Sequence, residues 1–254
     1  ALVASSSVRA ADQALIDAAK KEGRVVWYTT LVIDQFVRPA AEVFEKKYGV
    51  PVNSLIGRPS EVRERIRVAQ IAQRQQVDVV FGSEALTNIR YNEDRTVADV
   101  PPQLRGDLDR TSLKTQVQFV PQITITYGLM VNTSQVKPQD EPKSWLDLLD
   151  PKWTGKMLAD DPRASGSGHV LFSATVDKFG VDYQRKLALQ KPVFGRDLGV
   201  DQMRIARGEY PLRYPQSLAN MRDLRGLPLK FIIPGEGLVY VRADVGVVKG
   251  SSRP

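Results

Sequence analysis

The sequence predicts an α/β protein of two lobes, each a mainly parallel sheet flanked by helices. The chain has 254 residues, which is more than one hydrophobic core usually holds. In its first third, short apolar runs alternate with segments of helical periodicity. Such an alternation requires parallel strand pairing with right-handed crossovers. Further strands and helices follow, and the last apolar runs lead the chain back to the first lobe.

The first lobe begins with alternating helices and strands. In residues 11–22, alanine and leucine recur at helical spacing, and Gly23 ends the pattern. The elements predicted next are a strand at Val25–Tyr28, a helix from Asp34 to Tyr48, a strand at Val50–Ile56, a helix from Ser60 and a strand at Val77–Phe81. Ligands of open parallel sheets bind beyond the carboxyl ends of the strands. The residues expected to face a ligand are therefore Thr29, Thr30, the turn containing Arg58 and Ser60, and Ser83.

The second lobe follows residues 95–121, which lack periodicity and are interpreted as the approach to an interlobe crossing. The predicted elements are a strand at Ile123–Val131, a short helix at Ser144–Leu149, a strand at Gly155–Ala159, a helix ending at Phe179, helices near 182–190 and 200–207, and strands at Lys230–Ile233 and Leu238–Val248. Lobe 1 is predicted to comprise residues 1–121 with 234–254, and lobe 2 residues 122–233. The crossings are expected near 119–123 and 231–237.

Composition and charge exclude several classes of protein. The chain has no cysteine, so disulfides, cysteine zinc sites and thiol catalysis are excluded. No apolar run approaches the ~18–20 residues that a membrane span needs. The net charge is +7, but basic residues are interleaved with acidic ones along the chain, which argues against nucleic-acid binding. A positive field favours the capture of an anionic solute, and no cofactor is predicted.

The amino end resembles the tail of a secretion signal. Residues 1–13 are small and polar, and Val8-Arg9-Ala10-Ala11 matches the close of a cleavage site after a short apolar stub. This pattern predicts export with a cleaved signal peptide and a periplasmic location.

The segment Asp161–Gly168 carries the most informative local chemistry. A strand, a Ser/Gly loop and a helix start present unpaired backbone N–H groups at the positive end of a helix dipole, which suits an anion. Arg163 can add a bidentate contact to a phosphate, phosphonate or carboxylate. This loop contains Arg163, Ser165, Gly166 and Ser167. The alternative is an ordinary loop with a serine cap.

Two other groups of residues suggest different chemistry. Tyr210 and Tyr214, with Glu84, offer phenolate and carboxylate oxygens for a ferric ion. His169 is the only histidine, so a Ser-His-Asp triad of a small α/β hydrolase or transferase has to use it. The sequence lacks the HExxH, GxSxG, P-loop and dinucleotide motifs, so enzyme chemistry is poorly supported.

An ordered set of motifs resembles a known family. The matching stretches are ALIDAAKKEGRVVWYTT, FVRPAAEVFEKKYGVPV, VDVVFGSE, YGLMVNTSQV, EPKSWLDLLDPKWTGKM, DPRASGSG, IARGEYPL and ADVGVVKGSSRP. They are similar to the class II periplasmic solute-binding proteins of ABC importers, in the ferric-iron and phosphonate group. The resemblance implies a cleft that closes on a ligand between two lobes, an ABC permease of the inner membrane as partner, and a monomer. It also implies that the second lobe contacts the ligand through Arg163, Ser165, Gly166 and Ser167, with Tyr214 nearby.

The sequence departs from this family at two points. Ferric-binding members typically carry adjacent tyrosines after the Gly-Glu segment, whereas here Tyr214 alone follows Arg213. This favours an anionic solute, a phosphonate, phosphate ester or organic carboxylate, over iron. Members of the family also continue with further helices after the strand resembling Ala243–Lys249, and the sequence ends at Pro254. The expected function is therefore a transport receptor without catalysis.

Overall fold

A computed structural model describes residues 13–30, 32–57, 59–83, 96–99, 119–164 and 166–251. By internal contacts the chain divides into unit 1, Ala1–Ile123 with Arg242–Pro254, and unit 2, Thr124–Val241. The units share most of their residues with the two predicted lobes, whose bounds stay a prediction. None of the helices in the described part of the chain has the length and apolar character needed to span a bilayer.

The described elements alternate between helix and strand along most of the chain. The helices are α1 (Gln13–Glu22), α2 (Arg38–Tyr48), α3 (Pro59–Ile71), α4 (Ser167–Phe179), α5 (Val181–Leu189) and α6 (Leu198–Ala206). The strands are β1 (Val25–Thr29), β2 (Val52–Ile56), β3 (Val79–Ser83), β4 (Val120–Asn132), β5 (Met157–Asp160), β6 (Val193–Gly195), β7 (Leu212–Ser217), β8 (Leu229–Ile232) and β9 (Val239–Val247). The helix predicted at Ser144–Leu149 is a 3₁₀ turn over Leu146–Leu149.

The sheet of unit 1 has the strand order β2-β1-β3-β9. Strand β1 pairs in parallel with β2 and β3, as the alternation of helices and strands predicts, and β9 runs antiparallel to β3. Successive side chains of a strand point to opposite faces. Val26 and Tyr28 of β1 therefore pack with the cluster around Ile66 of α3, whereas Trp27 contacts the ring of Phe81 edge-on at 6.2 Å.

The sheet of unit 2 is built from β4 to β8. Strands β7, β5 and β6 are parallel neighbours, and β4 pairs antiparallel with β7 and β8. The same alternation divides the core between the two faces of the sheet. Met157 and Ala159 of β5 pack with Leu171 of α4 and Leu187 of α5, whereas Leu158 packs on the opposite face. Because β7, β5 and β6 run in parallel, their carboxyl ends lie at the same edge of the sheet.

Strands β6 and β7 are absent from the predicted elements. Strand β6 has only three residues. Strand β7 contains Pro215, which cannot donate a ladder hydrogen bond and so argues against a central strand. The structure tolerates it because the register of the β4–β7 pair shifts between Gly128 and Met130, opposite this part of β7. A proline at a bulge interrupts no regular ladder.

Candidate functional site

In unit 1 the carboxyl ends of the parallel strands are joined by backbone hydrogen bonds. The N–H of Thr30 donates to the carbonyl of Phe81 at 3.2 Å, and the N–H of Gly57 donates to the carbonyl of Thr29 at 3.2 Å. The side chain of Thr29 is fully buried. The hydroxyl of Thr30 is also buried and finds no hydrogen-bond partner within the described ranges. The predicted role of Thr29 and Thr30 as ligand contacts stays a prediction.

Several predicted contacts lie outside the described residues. This applies to Arg58, Glu84 and Ser165. Ser60 lies in the first turn of α3 and Ser83 at the end of β3, opposite Ala243 of β9, but the side chains of these two serines are outside the described part of the chain. Their predicted role as ligand contacts stays a prediction.

In unit 2 a carboxylate of the protein occupies the N-terminus of α4. Asp160 ends β5, and its Oδ2 accepts hydrogen bonds from the hydroxyl of Ser167 at 2.6 Å and from the N–H of Gly168 at 2.8 Å. A negative charge is favourable at this end of a helix. A Cβ on Gly168 would lie 2.5 Å from the carbonyl oxygen of Asp160, so only glycine fits. Asp160 thus already uses part of the donor set predicted for a ligand, while Gly166 beside it is exposed.

Arg163 is held by the carboxylate of Asp161, which directly follows β5. Its Nε donates to Oδ1 at 2.8 Å and its Nη2 to Oδ2 at 3.0 Å. Only 1% of the Asp161 side chain is exposed, against 74% for Arg163. The guanidinium of Arg163 also lies over the ring of Phe194, 5.9 Å from its centroid. Side-chain hydrogen bonds hold the pKa of Asp161 well below its ordinary range, and the bond from Arg163 has a larger effect than the bond from Arg196.

Arg196 is a site residue that the sequence analysis missed. It directly follows β6, and its Nε and Nη2 donate to Oδ2 of Asp161 at 2.9 and 2.7 Å. A residue at the end of a parallel strand can be predicted as a ligand contact only if the strand itself is predicted. Because the three residues of β6 carry no periodicity, the sequence held no signal for this position.

Arg213 is a second missed residue, buried on β7 with 1% of its surface exposed. Its Nη1 donates to the carbonyl of Pro215 and to Oε1 of Gln216, the latter at 3.2 Å. Burial lowers the pKa of Arg213, and the negative charges of Asp160 and Asp201 oppose this effect. The buried cation thereby stabilises the carboxylate that caps α4.

Tyr210 and Tyr214, the tyrosines predicted as iron ligands, contact protein side chains instead of forming a metal site in the described part of the chain. Tyr214 is 4% exposed and belongs to the core of unit 2, where burial raises the pKa of its hydroxyl strongly. The hydroxyl of Tyr210 accepts a hydrogen bond from Nη2 of Arg204 at 3.2 Å, and this guanidinium lies over the Tyr210 ring. Across the described ranges, no group of three or more histidine or acidic side chains is placed to hold a metal ion.

His169 lies in the first turn of α4 and is partly buried. Its Nδ1 is 3.3 Å from the carbonyl oxygen of Pro162. This contact ties the ring to the backbone of the loop after β5.

Comparison with known proteins identifies the family of the chain. A family model for bacterial extracellular solute-binding proteins matches residues 75–252. An uncharacterized protein of Haemophilus influenzae is 23% identical over 98% of this chain and 75% of its own length.

Solved structures of two periplasmic proteins share the fold. Iron-bound HitA from Pseudomonas aeruginosa has a TM-score of 0.75 at 18% identity, covering 91% of this chain and 77% of its own. The periplasmic binding protein AfuA from Actinobacillus pleuropneumoniae, solved with fructose-6-phosphate, has a TM-score of 0.74 at 23% identity, covering 91% and 75%. The predicted α/β fold of two-lobed periplasmic binding proteins is confirmed. The chain belongs to the family of bacterial extracellular solute-binding proteins.

Proposed function

We propose that this chain captures a small anionic solute and delivers it to the permease of an ABC importer. Membership of the family supports a small-molecule ligand, an ABC permease as partner and a periplasmic location. The anionic class of the solute, the monomeric state and the absence of catalysis are part of the proposal. The proposed solute carries a phosphonate, a phosphate ester or a carboxylate group.

The observation that carries the anionic class is the exposed Arg163 at the carboxyl end of β5. Its side chain is 74% exposed although Asp161 fixes its Nε and Nη2. A guanidinium that is oriented by a buried carboxylate loses little freedom when a ligand binds. The carboxyl end of a parallel strand is also the place where α/β sheets bind ligands. These features support Arg163 as the main contact for the anion.

The remaining proposed contacts come from both units. Thr29, Thr30, Arg58, Ser60 and Ser83 are the proposed contacts in unit 1, and Ser165, Gly166, Ser167 and Tyr214 are those in unit 2. We expect capture by a hinge motion in which a ligand that contacts both units favours the closed state. Positive charge at Arg58 and Arg163 then favours closure around a negative ligand. The Thr30 hydroxyl supports the unit 1 side of this proposal, since it lacks a partner in the described structure.

The two alternative functions receive less support from the side chains. An iron site needs accessible phenolate oxygens, whereas Tyr214 is buried with a raised pKa and Tyr210 contacts Arg204. In a hydrolase of the triad type an aspartate holds Nδ1 of the histidine, whereas Nδ1 of His169 lies 3.3 Å from the backbone carbonyl of Pro162. We therefore favour a receptor for an anionic solute over a ferric receptor or a hydrolase.

Removal of Arg163 tests the proposal. Arg163→Ala is expected to weaken solute binding at least about fivefold, the scale of one charge-assisted hydrogen bond. Titration calorimetry with a panel of phosphate esters, methylphosphonate and dicarboxylates measures the effect. Arg185→Ala is the matched control, because Arg185 is also exposed and paired with an aspartate, Asp182, at 2.8 Å. Equal affinities of the two variants would remove Arg163 from the site.

A further inference from the structure

Three charged side chains meet at one edge of the unit 2 sheet. Strands β5 and β6 are parallel neighbours in which Asp160 pairs with Gly195. The next residues along the two strands are Asp161 and Arg196, and the N–H of Asp161 donates to the carbonyl of Gly195 at 3.2 Å. Arg163 follows two positions after Asp161. The backbone therefore brings one carboxylate and two guanidinium groups together by strand register.

The charges of this group do not cancel. Asp161 is 1% exposed and accepts hydrogen bonds from both arginines. The side chains of Arg163 and Arg196 remain 74% and 62% exposed. Within this group one negative charge faces two positive charges, while the neighbouring carboxylates of Asp160 and Asp197 accept hydrogen bonds at the starts of α4 and α6. Burial of the carboxylate beneath the guanidinium groups directs the uncompensated charge outward.

Both guanidinium groups keep donors for a ligand. A guanidinium has five N–H donors in a planar fork. Asp161 engages Nε and Nη2 of Arg163 and of Arg196. Within the described ranges, Nη1 of neither arginine donates to the protein. Because one carboxylate restrains both forks, a ligand that binds them meets donors that are already oriented.

We infer that Arg196 is a second ligand-binding residue, and that Arg163 and Arg196 form a two-arginine clamp for a doubly charged tetrahedral oxyanion. This inference rests on the proposed function and names the charged group of the solute. A phosphate monoester or a phosphonate has two negative charges and three terminal oxygens, which can be shared between two forks. A carboxylate or a sulfate ester has a single negative charge, so it is expected to bind the two guanidinium groups less tightly.

Two esters of equal shape and different charge test the clamp. At pH 7.5 ethyl phosphate is mainly a dianion, since the second pKa of a phosphate monoester is about 6, whereas ethyl sulfate is a monoanion. The Nε–H resonances of both arginines, followed by NMR in the full chain, are expected to shift along one binding curve. The dissociation constant for ethyl phosphate is expected to be at least about tenfold lower than that for ethyl sulfate. Equal constants for the two esters would overturn the inference.

Substitutions separate Arg196 from Arg163. Arg196→Ala is expected to raise the dissociation constant for ethyl phosphate about tenfold and to reduce the preference over ethyl sulfate. Arg196→Lys keeps the charge but not the fork, and an intermediate constant is expected. Arg185→Ala should match the wild type. If Arg163→Ala weakens binding and Arg196→Ala does not, the clamp is wrong and the proposed function stands. If the chain captures only neutral or cationic solutes, the proposed function itself fails.

Discussion

Arg213 connects the interior of unit 2 with the loop that carries the candidate site. A buried charge is tolerated only when hydrogen bonds and opposite charges compensate for the loss of water. Two acceptors, the Pro215 carbonyl and the Gln216 side chain, bind its Nη1. The negative charges of Asp160 and Asp201 also favour the cation, whereas its buried Nε has no hydrogen-bond partner in the described part of the chain. Asp160 in turn caps α4, so the charge in the core helps to position the start of that helix.

Asp161 is expected to give the protein a defined acid sensitivity. Its folded-state pKa is held below the ordinary value of about 3.9 by two arginines, so its ionised form stabilises the folded state above that pH. This contribution is constant between pH 7 and 5, and it is lost as the pH falls through the folded-state pKa. Urea unfolding of the wild type and Asp161→Asn should therefore differ most near neutral pH, and the difference should shrink below about pH 4. A difference that is the same at pH 7 and pH 3 would contradict this role.

At the level of single residues, the sequence could suggest the site loop but not its internal pairing. A Ser/Gly loop before a helix provides free N–H donors, and both a ligand and a nearby carboxylate can accept from them. Asp160 stands at the end of a strand in the sequence, yet its distance to Ser167 depends on how the loop folds back. Arg163 could be predicted as a ligand contact because it lies inside the loop. Arg196 could not, since its proximity to Asp161 arises from the pairing of β5 with β6.

At the level of elements, the regular alternation in unit 1 was predictable and the short strands of unit 2 were not. Periods of 3.6 and 2 residues are visible only in segments long enough to show them, such as α2 and β4. Strand β7 carries both a proline and a charged residue in the core, Pro215 and Arg213. Its burial depends on an irregular pairing with β4, in which two residues of β7 stand opposite one residue of β4, and on acidic partners elsewhere in the chain. Neither feature is visible in the local sequence pattern.

The start of α4 provides a test at this level. Gly168→Ala is expected to destabilise the protein by about 1–3 kcal/mol, because the new methyl group would overlap the Asp160 carbonyl. Gly199→Ala is the matched control at the same second position of helix α6, where the nearest atom is 3.6 Å from the position that the new methyl carbon would take. There alanine should be neutral or stabilising by up to about 1 kcal/mol. Midpoints of urea unfolding compare the two variants, and equal midpoints would exclude a close approach at Gly168.

At the level of the whole molecule, the family defines the role and the charged residues suggest the solute. The family model covers most of the chain, and its members bind solutes outside the cytoplasm. Structural neighbours bear different ligands in their crystals, iron for HitA and fructose-6-phosphate for AfuA. The fold is therefore compatible with several ligand classes, and the choice among them depends on side chains. In this chain the exposed guanidinium groups at the ends of β5 and β6 support our proposal of an anion rather than a metal ion.

Capture of a solute from a mixture tests whether this chain is a receptor for an anionic solute. The purified chain would be incubated with the small-molecule fraction of a bacterial extract, separated by rapid gel filtration and measured by native mass spectrometry. We predict one solute per chain, recovered chemically unchanged and bearing a phosphate, phosphonate or carboxylate group. Retention of a ferric ion, of a neutral or cationic solute, or of a chemically altered product would contradict it.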